Sequence, residues 1–152
     1  QCANLMFRTG FRYLKEDTEA VDAMINGFVK VFKNIEKFDY RGKGSLNGWI
    51  KRIMVNECLM ELRKRKMQTS PIEDSVQLEV DADILHELGA EHIYELITRL
   101  PNGYRTVFNM HVIEGYPHKV IAETLNISEN TSKSQLSKAK AMLRKLITEN
   151  EE

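Results

Sequence analysis

Apolar residues recur at steps of three and four along most of this chain, and that spacing strongly limits the folds it can adopt. The spacing places apolar side chains on one face of an α-helix, whereas a half-buried β-strand needs alternation at every second residue. Only 3 prolines and 8 glycines interrupt the 152 residues, and β-branched alternation is nearly absent. The periodicity therefore predicts an all-α fold.

Three segments carry this periodicity most clearly. The first predicts a helix over residues 18–36. The second helix follows the turn Arg41-Gly42-Lys43-Gly44, with Ser45 as its N-cap. The third is opened by Pro101 and stopped by Gly115. The apolar positions are, in chain order, Val21, Met24, Ile25, Phe28, Phe32 and Ile35; Leu46, Trp49, Ile50, Ile53, Met54, Val55, Cys58, Leu59 and Leu62; and Tyr104, Val107, Phe108 and His111.

The formal net charge is zero, but the charges are unevenly distributed. Residues 1–66 hold 14 basic and 8 acidic side chains, a net charge of +6. Residues 67–98 hold 8 acids and no Lys or Arg, a net of −8, and residues 99–152 hold 8 basic and 6 acidic side chains, a net of +2. This pattern is typical of two lobes that approach phosphate through their basic surfaces. The alternative is a solvated acidic connector beside ordinary surface charge.

Four consecutive cations, residues 63–66, end the second predicted helix. Cations at a helix C-terminus interact favourably with the helix dipole, which accounts for some of them. Four in a row exceed that need, so a salt-sensitive contact with the DNA backbone is the second interpretation. The four are Arg63, Lys64, Arg65 and Lys66.

Residues 117–145 have the pattern of a helix-turn-helix motif. A short helix from about 117 to 125 would carry Val120, Ile121 and Leu125 inward, and the small Ala122 would allow two helices to cross closely. The pair Asn126-Ile127 would form the tight turn, with Ile127 filling the core between the helices. Ser128 would then cap the second helix.

The second helix of the motif separates an apolar side from a basic side. Such a helix offers its N-terminal half to the major groove and its cations to phosphates, although a three-helix core with a solvated lysine-rich face is the alternative. The outer side chains are mostly short or Lys, which favours positioning on phosphates over readout of particular bases. The core side is Leu136, Ala139, Leu143 and Ile147; the candidate DNA contacts are Asn130, Thr131, Lys133, Ser134, Ser137, Lys138, Lys140 and Arg144.

These observations predict two small helical domains joined by an acidic linker, the second being the helix-turn-helix domain. The first domain would cover residues 1–66, the linker 67–85 and the second domain 86–152. The chain opens within a pattern at Gln1 and lacks an initiator Met, so we expect that N-terminal residues of the first domain are missing.

Several function classes lack the residues they need. The two cysteines and four histidines do not have metal-ligand spacing, and no apolar run approaches 18 residues. No Ser/His/Asp set and no pair of carboxylates framed by a Gly-rich loop supports an enzyme. We therefore expect no catalytic residues, cofactor, metal, small-molecule substrate or membrane insertion. Because nothing resembles a signal peptide, the expected compartment is the cytoplasm.

Taken in order, these segments resemble a sigma-70 family factor of the extracytoplasmic-function (ECF) group, the minimal two-domain type. The resemblance to region 2 of the family lies in residues 28–32, 38–39, 44–46 and 49–56. The resemblance to region 4 lies in residues 100–108, 114–116, 121–125 and 128–136. Many regulators share a helix-turn-helix, but two matched domains in family order are specific.

The resemblance implies a sigma factor that binds core RNA polymerase and directs promoter-specific transcription initiation. Region 2 would open and read the minus-ten element and region 4 would read the minus-thirty-five element. The family also implies an anti-sigma factor as an inhibitory partner. The alternative function is a stand-alone helix-turn-helix regulator acting through residues 100–147, which leaves the basic first lobe unexplained.

The resemblance also assigns roles to single residues. Asn56 stands where the family's Asn contacts a flipped-out minus-ten base, with Arg52 one turn earlier. Phe38 and Trp49 stand at aromatic positions near the melted strand, and core packing is the alternative for Trp49. A helix-surface amide is the alternative for Asn56.

Two further residues, Asp22 and Phe28, lie on the family's polymerase-binding helix. Two neighbours on that helix depart from the pattern, since Ile25 and Asn26 stand where members commonly carry Gln and an acid. In the second helix of the motif, lysines stand where arginines are common, and lysine lacks the bidentate fork of arginine.

Overall fold

The computed structural model describes residues 2–68 and 90–150, and all regular secondary structure within these ranges is helical. The predicted all-α class is therefore confirmed for the described residues. The chain divides into two compact units, Gln1–Ile72 and Glu73–Glu152. This division falls inside the predicted linker, of which residues 69–85 lie outside the described residues, as do residues 86–89 of the predicted second domain.

Over residues 2–68, the first unit forms three α-helices. They are α1 (Cys2–Leu14), α2 (Asp17–Asn34), which continues into a 3-10 turn over Ile35–Lys37, and α3 (Ser45–Gln68). The helices predicted over 18–36 and from residue 45 to the basic run are confirmed, whereas none of the sequence patterns predicts α1. Each of the three helices packs against the other two.

The core of the first unit depends on close approach of its helices. A Cβ atom added to Gly10 of α1 would lie 2.7 Å from Cε of Met54 and 3.2 Å from the carbonyl oxygen of Ala20. One added to Gly27 of α2 would lie 2.8 Å from Cε of Met6. Glycine at these two positions therefore lets α1, α2 and α3 meet. The buried apolar residues are Met6, Tyr13, Leu14, Ala20, Ala23, Val31, Ile50, Met54, Val55, Cys58 and Leu59.

Most of the apolar stripe of α2 is exposed, and its other members, Met24 and Phe28, are half-buried. A stripe of this kind usually faces a core, but the buried positions of α2 are Ala20, Ala23, Gly27 and Val31. Because small residues already fill the inner face, the large apolar side chains are left outside. The exposed ones are Val21, Ile25, Val29 and Phe32, followed by Ile35 in the 3-10 turn.

The start of α3 differs from the predicted N-cap. Ser45 is the first helical residue, and its hydroxyl donates a 2.8 Å hydrogen bond to the carbonyl oxygen of Gly42. Oγ of Ser45 in turn accepts a hydrogen bond from the backbone N–H of Arg41 at 3.3 Å. Ser45 therefore closes the preceding turn. Gly44, whose φ of +91° suits glycine, occupies the position before the helix.

A buried ion pair joins α2 to α3. Nζ of Lys30 contacts Oε1 of Glu57, whose side chain is 7% exposed while that of Lys30 is 45% exposed. A buried carboxylate is expensive without a partner, so Lys30 compensates for the burial of Glu57. This contact holds α2 beside the middle of α3.

The described residues of the second unit form four α-helices. They are α4 (Ala90–Thr98), α5 (Asn102–Phe108), α6 (His118–Leu125) and α7 (Glu129–Asn150), and a π-helical turn over Asn109–Ile113 extends α5. The predicted start at Pro101 and stop at Gly115 are confirmed, and Gly115 has a φ of +76°. Helices α4, α5 and α6 all pack against α7.

The core of the second unit agrees with the prediction except at Val120. Ile121 and Ala122 of α6 are buried and Leu125 is half-buried, but Val120 is exposed, so its predicted inward position is wrong. Val120 directly precedes the fully buried Ile121, and the 100° step of the helix turns it toward solvent. The four predicted core residues of α7, namely Leu136, Ala139, Leu143 and Ile147, are all buried.

A buried arginine fixes the joint between α4 and α5. Nη1 of Arg105 donates to the carbonyl oxygen of Leu100 at 2.8 Å and to that of Thr98 at 3.4 Å. Its Nη2 donates to Oδ1 of Asn102 at 2.6 Å. Arg105 thereby satisfies carbonyls left unpaired at the end of α4, which explains a guanidinium that is only 2% exposed.

Removing the partner of Glu57 should destabilise the first unit. We expect Lys30→Met to lower the free energy of unfolding by about 1–3 kcal/mol, because it leaves a buried acceptor without its charged donor. The half exposure of Lys30 keeps the effect below that of a fully buried pair. Urea unfolding of the full chain, followed by circular dichroism, measures the difference. Lys33→Met, at an exposed position of the same helix, is the matched control and should change the value by less than about 0.5 kcal/mol. Equal effects of the two variants would contradict the role of the ion pair.

Candidate nucleic-acid interface

An exposed face of α3 carries the polar residues predicted to read the minus-ten element. Arg52 and Asn56 are both exposed and lie one turn apart on this helix. The next residue, Glu57, is buried and paired with Lys30. The ion pair thus fixes the inner side of α3 next to Asn56, whose side chain is exposed to solvent. The DNA contacts assigned to Arg52 and Asn56 stay predictions.

The two predicted aromatic residues contact each other. The ring centroids of Phe38 and Trp49 lie 5.2 Å apart with planes inclined by 43°, and both side chains are half-buried. Trp49 therefore packs against Phe38 at the edge of the unit and does not belong to its buried core. Each ring retains surface on which a base could stack.

The turn between the two aromatics adds a residue that the sequence reasoning did not identify. Tyr40 is 70% exposed and lies between Phe38 and the start of α3. Arg41 is also exposed, and its Nε donates to Oδ2 of Asp39 at 3.0 Å. An exposed aromatic beside a cation is a signal for nucleic acid, and Tyr40 falls directly after the Phe38-Asp39 segment of the family resemblance.

The basic run at the end of α3 divides into different environments. Arg63 and Lys64 are exposed, and Nζ of Lys64 contacts Oε1 of Glu61 at 2.6 Å. Arg65 contacts Glu19, and both of its terminal nitrogens lie 3.5 Å from the carbonyl oxygen of Leu14. Arg65 therefore links the turn between α1 and α2 to α3, and a DNA contact would compete with these bonds. The side chain of Lys66 lies outside the described residues.

The turn of the helix-turn-helix has the predicted geometry. Asn126 adopts the left-handed conformation with φ 55° and ψ 51°, which Asn tolerates better than most residues. The backbone N–H groups of Asn126 and Ile127 both donate to the carbonyl oxygen of Ala122, and Ile127 is half-buried. This arrangement ends α6 and sends the chain directly into α7.

Ser128 caps α7 as predicted. Its Oγ accepts a 2.9 Å hydrogen bond from the backbone N–H of Thr131 and lies 2.8 Å from Oγ1 of Thr131. An N-cap of this kind satisfies one of the free N–H groups of the first turn and defines where the helix begins. The cap thereby sets the rotational phase of all side chains along α7.

None of the eight predicted contact residues of α7 is buried, and three of them are exposed. Lys133 lies one position beyond Ser132, which is fully buried, so the two sides separate within the first turns. The exposed members of the set are Asn130, Lys133 and Ser134; the half-buried ones are Thr131, Ser137, Lys138, Lys140 and Arg144. Their contacts with DNA stay predictions.

A pair of histidines packs beside the helix-turn-helix. The spacing of the histidines in the sequence did not predict this pair. The rings of His111 and His118 are stacked, with centroids 4.2 Å apart and planes 14° apart. Nδ1 of His118 lies 2.9 Å from Oγ of the buried Ser132. Burial, followed by the proximity of His111, lowers the pKa of His118 below the ordinary 6.5.

The residues predicted to bind polymerase lie on α2. Asp22 is exposed, and the half-buried ring of Phe28 is stacked on the exposed ring of Phe32 with centroids 6.4 Å apart. Beside them a groove of about 310 Å³ runs between α2 and α3. Three carboxylates line it together with an apolar and an amide side chain: Glu19, Asp22, Glu61, Ile25 and Asn26.

Two kinds of feature are absent from residues 2–68 and 90–150, namely a cluster of metal ligands and a membrane-spanning helix. Within these ranges, no three His, Cys, Asp or Glu side chains are grouped so that they could hold a metal ion. None of the helices in the described part combines the length and apolar character needed to cross a bilayer.

Comparison with protein families matches both units. Residues 1–67 match the family described as Sigma-70 region 2, and residues 90–143 match Sigma-70, region 4. The chain is 30% identical to the ECF RNA polymerase sigma factor SigW of Bacillus subtilis over 156 residues, covering 92% of this chain and 81% of SigW. It is also 30% identical to ECF sigma factor SigM of Mycobacterium tuberculosis over 131 residues, covering 85% of this chain and 64% of SigM.

A solved structure shares the fold. The sigma factor RpoE from Bartonella quintana, crystallised in complex with the anti-sigma factor NepR, superposes with a TM-score of 0.59 at 18% sequence identity. The similarity covers 97% of this chain and 92% of RpoE.

Two helical units that match sigma regions 2 and 4, the second with a capped helix-turn-helix, define a transcription initiation factor that directs RNA polymerase to promoters. The chain belongs to the sigma-70 family, within its ECF group. The stand-alone regulator is not favoured, because the region 2 match accounts for the half of the chain that such a regulator would leave without a role.

The cap of α7 should be measurable as stability of the second unit. We expect Ser128→Ala to lower its free energy of unfolding by about 1 kcal/mol, because the backbone N–H of Thr131 loses its acceptor. Thermal unfolding of the full chain, followed by circular dichroism, measures the change. Ser134→Ala, an exposed position inside the same helix, is the control and should stay within about 0.5 kcal/mol of the parent protein. A loss as large in the control would show that the hydroxyl of Ser128 has no special role.

Proposed function

We propose that this ECF sigma factor attaches to core RNA polymerase through α2, contacts the minus-ten element through α3 and the turn before it, and contacts the minus-thirty-five element through α7. The observation that carries the proposal is the exposed apolar face of α2, which the first unit does not bury. Family membership of both units supports the two DNA contacts.

The outer face of α2 has the properties of a protein-binding surface. The side chain of Phe32 is 73% exposed and that of Ile25 is 54% exposed, and both lie opposite the buried Ala23 and Gly27. Contiguous exposed apolar residues on one helix face mark interaction sites more often than ordinary surface. Phe32, with Phe28 stacked beneath it, is the expected anchor, because buried aromatics dominate binding energy at interfaces.

The acidic groove beside this face supplies charge complementarity. Glu19, Asp22 and Glu61 line it, and such a set fits a partner surface with Lys or Arg side chains. Ile25 borders both the groove and the apolar face. Family members commonly carry Gln at the position of Ile25. We infer that apolar contact contributes more, and polar contact less, to polymerase binding here than in members with the polar residue.

The minus-ten contact would combine stacking with an amide. Phe38, Tyr40 and Trp49 offer aromatic surface at one end of α3, and an unpaired base gains stacking energy on such rings. Asn56 can hydrogen-bond to the edge of a base once that base has left the stack. Arg52 would hold the neighbouring backbone. Arg63 and Lys64 would approach the phosphates farther along α3.

The minus-thirty-five contact would be made by the outer face of α7. Its exposed first turn contains Asn130, and Lys133 and Ser134 follow, so short polar side chains and lysine meet the groove first. Lysine acts as a point charge and does not form the bidentate bonds that arginine makes with guanine. We infer that α7 depends on phosphate positioning for most of its affinity.

Two further assignments complete the proposal. An anti-sigma factor is the proposed inhibitory partner, supported by the complex of RpoE with NepR. The proposed site of action is the cytoplasm, where the chain would act as a binding factor without catalytic activity of its own.

The attachment to polymerase is tested by mixing the purified full chain with core polymerase and separating complexes on a sizing column. We expect a stable complex with the parent protein and a loss of at least about tenfold in affinity for Phe32→Asp, because a charge would enter the apolar contact. Asn4→Asp introduces the same charge at an exposed position of α1 and is the control. Absence of any complex with the parent chain would contradict the proposed function.

The role of Asn56 is tested by run-off transcription from promoters selected out of a library of upstream sequences. We expect Asn56→Ala to reduce transcript about tenfold or more through loss of base contacts, while binding to core polymerase is retained. Asn47→Ala is a matched control on α3, because Asn47 is exposed and nine residues place it half a turn away around the helix. Equal transcript from Asn56→Ala and the parent chain would remove Asn56 from the minus-ten contact.

A further inference from the structure

A chain of contacts, made of two hydrogen bonds and one ring stack, links the π-helical turn, α6 and α7. Nδ1 of His111, in the π-helical turn, lies 2.9 Å from the carbonyl oxygen of Tyr116. The His111 ring stacks on the ring of His118 at the start of α6, and Nδ1 of His118 reaches Oγ of Ser132 at 2.9 Å. Three successive segments of the second unit are thus joined through two imidazoles.

Ser132 is the point at which this chain reaches α7. It lies one turn after Ser128, and its backbone N–H donates to the carbonyl oxygen of that residue at 3.0 Å. Its hydroxyl group is buried, so a lost partner would be costly. The next residue, Lys133, faces outward among the proposed DNA contacts. A bond at Ser132 therefore positions the first turns of the helix that meets DNA.

The surroundings of His118 favour its uncharged form. A carbonyl oxygen can only accept a hydrogen bond, so Nδ1 of His111 carries a proton that it donates to Tyr116. A second proton on His118 would place a cation against the stacked ring of His111. The charged or titratable groups near enough to act on His118 are His111 from the π-helical turn and Glu129, Lys133 and Lys140 from α7. Only Glu129 among them would stabilise a positive His118.

We propose that the stacked pair of His111 and His118 positions the recognition helix α7 through Ser132, and that uncharged His118 is the form that supports binding to the minus-thirty-five element. The proposal rests on the proposed function, since it needs α7 to contact DNA. It identifies two residues that set the geometry of that contact without touching DNA.

The direction of the pH effect follows from the pKa of His118. Burial, then His111, Lys133 and Lys140, lower this pKa below the 6.5 of an unfolded histidine, and Glu129 opposes them. A lowered pKa in the folded state means that its contribution to stability is complete above 6.5 and is lost as the pH falls toward the folded value. Binding through α7 should therefore weaken in mildly acidic solution.

The experiment measures binding of the polymerase holoenzyme to a fluorescent promoter fragment, taken from the selected library, at about pH 7.5 and about pH 5.5. The variants are His118→Asn, whose amide can replace Nδ1 as partner of Ser132 without titrating, and Ser132→Ala. His92→Gln is the control, because His92 is exposed on α4. Effects of pH on the polymerase itself are common to all variants and cancel in the ratios.

We expect Ser132→Ala to weaken binding about fivefold at the higher pH, as the loss of one buried hydrogen bond implies. His118→Asn should retain most of the affinity there and lose at least half of the pH dependence shown by the parent chain and by His92→Gln. The C–H resonances of His118 in the free full chain provide a second readout, in which the pKa of His118 should lie below the ordinary 6.5.

The outcomes separate the two proposals. The same pH dependence in His118→Asn and the parent chain, or a His118 pKa at or above the ordinary 6.5, would overturn the positioning role while leaving the sigma function in place. A parent holoenzyme that does not bind the selected promoter at either pH would overturn the proposed function together with this inference. If Ser132→Ala unfolds, the comparison of His118→Asn with His92→Gln still decides.

Discussion

The close contact of α2 with α1 and α3 determines most of what the first unit presents to solvent. Gly10, Gly27, Ala20 and Ala23 let the three helices approach until side-chain and backbone atoms touch. Once this side of α2, which is mostly small residues, is buried, most of its large apolar side chains are left exposed or half-buried. The free energy that would ordinarily stabilise a core is then available for a partner. The proposed polymerase surface is therefore a consequence of how the domain packs.

At both proposed DNA contacts, a buried polar residue lies next to an exposed one in the sequence. In α3 the buried Glu57, paired with Lys30, follows the exposed Asn56. In α7 the buried Ser132, bonded to His118, precedes the exposed Lys133. In each case a fixed polar anchor lies next to a residue that would contact DNA. Preorganisation of this kind limits the conformational entropy lost on binding, which matters for short side chains and lysines that each contribute little.

Periodic segments and helix termini were predictable because their signals are local. The helix over 18–36, the stop at Gly115, the cap by Ser128 and the turn at Asn126 each depend on a few neighbouring residues. The predicted cap at Ser45 was wrong. Gly42 and Gly44, which precede it, adopt positive φ angles in a turn, and the Ser45 hydroxyl donates its hydrogen bond to that turn. The predicted inward position of Val120 was wrong because a stripe of branched apolar residues does not show where the buried face of a short helix ends. The contacts of Arg65 and His118 span 51 and 14 residues of sequence, a separation that no local pattern encodes.

The sequence by itself determined the helical class, the basic–acidic–basic charge order and the family resemblance, since all three depend on residue type and spacing along the chain. Tertiary structure alone decided which side of α2 is buried, that Tyr40 is exposed beside Phe38 and Trp49, and that two histidines stack behind α7. The physical reason is that burial is a competition between faces of the same helix. On α2 the buried face consists mostly of small residues that permit close packing, and most of the larger apolar residues are not buried. Hydropathy along the chain does not predict which of these two faces is buried.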